Sequence, residues 1–224
     1  MLVAVLGASL MVLGGCGASR KMEISDSWLD TVPREKQWSV GKHRDSRQRA
    51  LKELAGADVA IKEAEPRLNT TRLQAEAAKL RREGYEKLLE ADRLTGSQGS
   101  TPQSEGWLRA SEAWLAAAEA ELRWCKENLS AWRAVKQRWE RELQLADAEL
   151  NYARYKTLKE QADPRVASLT EQDFLSEIAD AKEELADALS DADSQKEKAH
   201  QVRAQWEKRA AEAQGYLRNG TAQR

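Results

Sequence analysis

The chain has 224 residues, 36 of them Lys or Arg and 37 Asp or Glu, for a formal net charge of −1. That balance provides no basic face for nucleic acid, and two cysteines are too few for a disulfide scaffold. With 33% charged residues, one Phe and four Pro, the composition is that of long helices or coiled coils, and no run alternates apolar and polar residues at strand spacing.

Residues Leu2 to Leu13 form an uncharged apolar run. It is too short to span a bilayer and has the length of a secretory signal's apolar region. The run ends on Leu13, Gly14, Gly15 and Cys16, after which the chain turns small and polar. This arrangement resembles the lipobox of bacterial lipoproteins. The resemblance implies that residues 1–15 are a cleaved signal peptide and that Cys16 bears a diacylglyceryl group and an acylated amino terminus. In Gram-negative members of that family, a Gly such as Gly17 after the cysteine implies the outer membrane, here with the body facing the periplasm. Acyl chains contribute about 0.8 kcal/mol per buried methylene, and more than one is needed for lasting anchorage. No cofactor beyond these covalent chains is implied.

Residues 16–41 are expected to be the lipidated N-terminus and a tether, with Pro33 and two isolated tryptophans, Trp28 and Trp38. Those indoles suit a membrane interface, or dock on the chain's own domain. From Lys42 to Leu94 helix formers dominate, and Leu51, Leu54, Ile61, Leu68, Leu73, Ala77, Leu80 and Leu88 trace an imperfect stripe. Pro66 interrupts it and predicts a kink or short break. The first run also resembles, through "AGADVAIKEAEPRL" and "REGYEKLLEADRL", the alanine-rich helical domains of uncharacterised envelope lipoproteins, a resemblance that implies no activity.

"TGSQGSTPQSEG" from Thr95 predicts a turn. The second run then carries a seven-residue column of Leu108, Leu115, Leu122, Leu129, Lys136, Leu143 and Leu150, broken only by the lysine. Its companion column is Ser111, Ala118, Cys125, Trp132, Trp139, Ala146 and Ala153. A heptad sustained this long keeps one seam on a partner helix. Asp163 before Pro164 stops the run. Thr170 with Asp173 predicts a helix start, stapled by Leu169 and Phe174. The third run has Ile178, Leu185, Ala192, Ala199, Trp206 and Ala213 in one column and Ala181, Ala188, Gln195, Val202, Arg209 and Tyr216 in the other, with Asn219 and Gly220 as its cap.

Three similar runs with short connections predict an all-α fold over 42–224: long antiparallel helices in an up-down-up three-helix coiled-coil bundle. A homo-oligomeric coiled coil is the alternative. Residues 42–95 hold 13 basic and 10 acidic side chains, net +3, and residues 170–217 hold 6 and 12, net −6. The first and third runs are thus expected to attract weakly.

No acid/base pair, nucleophile motif or metal cluster can be named, so an enzyme is not expected. Glu197 and His200 have the spacing of di-iron bundles, but the second such motif is missing. Asp187, Asp191 and Asp193 lack the glycine of a calcium loop and predict a solvated acidic face, or a docking patch around Asp187 and Asp191. Cys125 predicts a small buried thiol. Eight tryptophans are unusual. Trp132 and Trp139 in the seam and Trp107 and Trp114 on its flank predict core and flank packing, and Trp124 falls outside. Alternatively, Trp107, Trp114 and Trp124 form a partner-contact surface, since tryptophan dominates interface hot spots. The expected function is a membrane-anchored envelope lipoprotein, structural or adaptor-like through its helical faces. Its rivals are a pilotin-like accessory subunit of a secretion or motility machine and a self-assembling spacer. A protein partner is expected, its identity open, together with a capacity for homo-oligomers.

Overall fold

The structure is a computed structural model and describes residues 23–96 and 100–221. Three long helices account for most of it: α1 (Trp38–Leu94), α2 (Thr101–Glu160) and α3 (Glu171–Thr221). Each runs antiparallel to the next, so the all-α, up-down-up arrangement is the one the heptads predict. The longest reach is about 90 Å at 1.5 Å per residue.

α1 passes through Pro66 without the short break that is one of the two expectations there. The proline is exposed, so the carbonyl it orphans meets water. On either side Ala57, Ala64, Thr71 and Ala75 are buried and hold both halves of the helix to α2. Arg133 with Glu65 (3.1 Å) and Arg67 with Glu121 (3.8 Å) tie the flanking residues to the same neighbour. α1 closes on Gly96 at φ 67°, the left-handed residue that ends many helices.

α2 is the central helix and buries two opposite faces. Part of its leucine column and companion column turns to α1. Lys136, the break in the leucines, reaches Asp58 at 2.8 Å, and Cys125 lies 3.5 Å from the Thr71 hydroxyl. The opposite face, with Ala120, Ala131, Ala134 and Ala148 buried, turns to α3. There Glu127 pairs with Lys198 (2.9 Å) and Arg141 with Glu184 (2.6 Å). Close backbone approach is therefore between α1 and α2 and between α2 and α3. Among the described residues no ion pair joins α1 to α3; the interhelical pairs of both run to α2.

In α3 the predicted column is the inward one. Ile178, Leu185, Ala192, Ala199 and Ala213 are buried and Trp206 is half-buried. The Thr170 hydroxyl donates to Asp173 (2.5 Å), and Leu169 packs on the cluster that holds Phe174. Asn219 and Gly220 lie inside the last turn and do not end it.

Residues 23–37 are not a free tether. Ile24, Leu29 and Val32 are buried against Leu150, Ala153, Tyr155, Leu158, Val166 and Phe174. The buried Ile24 N–H donates to Asn151 (2.8 Å), Arg154 donates to the Ile24 carbonyl (2.9 Å), and Gln37 donates to the carbonyls of Leu29 and Val32. Three buried apolar side chains and the bonds to Asn151 and Arg154 hold this strap on α2, and Gln37 braces it internally. Trp28 docks as well, with Arg165 over its ring at 5.1 Å, whereas Trp38 stays exposed. Any tether is confined to residues before 23.

Candidate interaction surfaces

Cys16 and the lipobox residues Leu13, Gly14 and Gly15 lie outside the described residues. Everything else proposed from sequence can be placed. Trp107 and Trp114 stand near the start of α2, two turns apart on one face, and both are exposed. The Trp107 ring lies 5.9 Å from that of Tyr85 on α1, tilted at 38°. Two indoles one above the other give a rigid contact area at low entropic cost.

Trp124 is not part of that surface. It is only 8% exposed, stacked on Trp206 of α3 with centroids 4.9 Å apart and planes within 4°. Arg67 of α1 covers the same ring at 4.4 Å. Because α2 has a helix on each side, a position outside its first seam falls inside the second. Trp132 shows the converse: expected in the core, it is exposed. Trp139 packs half-buried against Ala57, Ala134, Val135 and Ala192.

Beside Trp124 a cleft of about 240 Å³ opens between α2 and α3. Trp124, Trp132 and Val135 form its apolar wall, and Lys196, His200 and Arg203 its rim. Arg203 is already tied to Glu207 at 2.8 Å. A larger crevice of about 580 Å³ lies where the strap meets the three helices, and five of its seven charged side chains are engaged with one another. Asp26 takes both Arg44 (2.7 Å) and Arg154 (2.8 Å), and Arg47 takes Asp147 (2.6 Å). Partial burial pushes the Asp26 carboxyl up, and the two guanidiniums outweigh it and hold it below the usual range. These pairs clamp the strap to α1 and α2.

Asp187 and Asp191 are exposed on α3, as a solvated or docking face requires. No group of three or more metal-ligating side chains occurs among the described residues. His200 is exposed, and His43 lies 3.4 Å from Glu149. Cys125 is a buried free thiol, as expected.

One surface escapes the sequence reading. From Leu73 onward every leucine of the first run except Leu89 turns away from α2. Leu73, Leu80 and Leu94 are 60%, 68% and 82% exposed, and Leu88 is exposed beside them. Ala77, Gly84 and Ala91 are exposed between these leucines, and a Cβ on Gly84 would meet nothing within 4 Å. The inward face of this half is built instead from Thr71, Ala75 and Leu89. The signal for it was present: Ala50, Ala57 and Ala64 repeat every seven residues in one column, and Val59, Pro66, Leu73 and Leu80 in another on the far side of the helix. Ranking by size alone assigns the leucines to the core, but close helix approach selects alanine there.

No protein-family model, curated protein or solved structure matches this chain. No helix among the described residues is long and apolar enough to cross a membrane.

Proposed function

We propose that the chain is a lipid-anchored envelope lipoprotein, on the periplasmic side of the outer membrane, that acts as a structural or adaptor element through its helical faces. The observation that carries the adaptor half is the pair of exposed indoles, Trp107 and Trp114, at the end of the molecule far from residue 23. At the end where the chain leaves residue 23, the strap seals the apolar side chains under it. At the opposite end Leu94, Trp107 and Trp114 are left to water. Contiguous exposed apolar area of this kind marks a binding surface. The anchor half rests on the lipobox resemblance at Leu13 to Cys16. Anchorage at the N-terminal end would present the exposed end away from the membrane.

Two measurements test the two halves separately. Metabolic labelling with a radioactive fatty acid is expected to label the chain and to fail for Cys16→Ala, which is released from membranes; a variant still labelled and retained overturns the anchor. Lysine crosslinking in cells is expected to capture a recurrent protein through the Trp107 end. Trp107→Ala with Trp114→Ala is expected to abolish that capture at an unchanged melting temperature. Capture unaffected by the pair removes this surface from the reading, and a large fall in melting temperature assigns the indoles to packing.

A further inference from the structure

We infer that α1 carries a second coiled-coil seam over residues 70–94 that pairs in parallel with the same seam of another copy of this chain. The inference stands on α1 alone and is independent of the lipid anchor. Two heptad columns define the seam: Leu73, Leu80, Lys87 and Leu94 in one, Thr70, Ala77, Gly84 and Ala91 in the other. The steps between them alternate four and three, the spacing that keeps one stripe against a supercoiled partner. Every one of these residues is exposed. The stripe lies opposite Thr71, Ala75 and Leu89, which hold α1 to α2, so pairing requires no rearrangement within the chain. It runs for about 37 Å at 1.5 Å per residue.

The residue types identify the occupant. Small side chains alternating with leucines let a second helix come close, and such a narrow seam suits a helix better than a flat membrane face. Charge then selects the orientation. Glu76, Glu83 and Glu90 line one edge, while Arg81 lies on the other with Gln74 and Leu88. An antiparallel copy would set the acidic edge against itself. A parallel copy sets Glu76 of each chain against Arg81 of the other, twice by symmetry, and Asn69 against Gln74. The short-range ion pair within this stretch is Arg82 with Glu86 (3.1 Å), which leaves Glu76 and Arg81 facing outward. Lys87 in a leucine column and Gly84 in an alanine column weaken the seam. They make the dimer reversible rather than obligate.

The test is cysteine crosslinking of the full chain in intact cells, in a Cys125→Ala background, with that background alone as the control for Cys16. Leu73→Cys and Leu94→Cys are each expected to give a species of twice the chain mass under mild oxidation. Adding Leu80→Glu should reduce this product about tenfold or more at unchanged helicity. Glu76→Arg should reduce it too, and Glu76→Arg with Arg81→Glu should restore it. Two results overturn the orientation or the pairing. If only mixed Leu73→Cys and Leu94→Cys chains join, the pair is antiparallel. If neither variant joins and the purified chain in detergent sediments as one copy at every concentration, there is no such dimer. Crosslinks from these positions to a foreign protein alone would assign the seam to that protein and overturn the second copy as occupant.

Discussion

At the turn after α2, one residue holds a conformation that its side chain resists. Ala162 has φ 51°. Its N–H donates to the Lys159 carbonyl (3.0 Å) and the Asp163 N–H to that of Leu158 (3.1 Å), the paired bonds of a Schellman cap. Left-handed alanine costs roughly 1–2 kcal/mol, part of which glycine returns as chain entropy. Ala162→Gly is therefore expected to stabilise the fold by about 0.5–1 kcal/mol, read as a higher melting temperature; no gain would mean that the cap is not held in solution. Beside it Asp163 accepts the Arg165 N–H (2.9 Å) and its guanidinium (2.6 Å). These bonds from Arg165 draw its carboxyl down from 3.8 to about 2. A lowered folded-state value means stability that is present above the ordinary value and lost as pH falls through the lowered one. The urea midpoint should thus decline between about pH 4 and 2, and Asp163→Asn should flatten that part of the decline. An unchanged slope would show that other carboxylates govern it. Asp163, Pro164 and Thr170 were legible in the sequence because capping chemistry is local. The fate of Trp124 was not, because its burial depends on Trp206, far along the chain.

At the level of elements, periodicity located all three helices and their antiparallel order. It also identified the inward column of α3, where one neighbour decides everything. It failed where a helix has two faces to account for. α2 buries one seam on α1 and the opposite one on α3, so most of its buried residues lie outside the leucine column. α1 has the reverse problem: Ala50, Ala57, Ala64 and Ala75 are inside, and Leu73, Leu80, Leu88 and Leu94 outside. Pro66 makes a third case, since intrinsic propensity argued for a break and packing on α2 overrode it. This yields a prediction for the element. If α1 is continuous, Pro66→Ala restores a helical hydrogen bond and relieves the ring's clash, stabilising by up to about 3 kcal/mol. A loss of stability would show instead that the helix bends there. The measurement is denaturant unfolding followed by far-UV dichroism.

For the whole molecule the central place of α2 sets the order of local stability. Each outer helix loses one packed face on opening, whereas α2 can open only by losing two. Amide exchange should therefore be slowest in α2 around Ala131 to Val135, where Ala57 and Ala192 close in from both sides. At low concentration, where α1 is unpaired, residues 73–94 should exchange faster than that stretch. Equal protection along α1 and α2 at such dilution would contradict the arrangement.

The strap has a mechanical consequence. Tension applied at Glu23 does not reach α1 first, although α1 is next in the chain. It passes through the Ile24 backbone into Asn151 and Arg154 on the middle helix. The helix with the most neighbours thus carries the load, and the helix that follows the strap hangs beside the load path. A pull of this kind would have to shear the strap from its groove before α1 could begin to unwind.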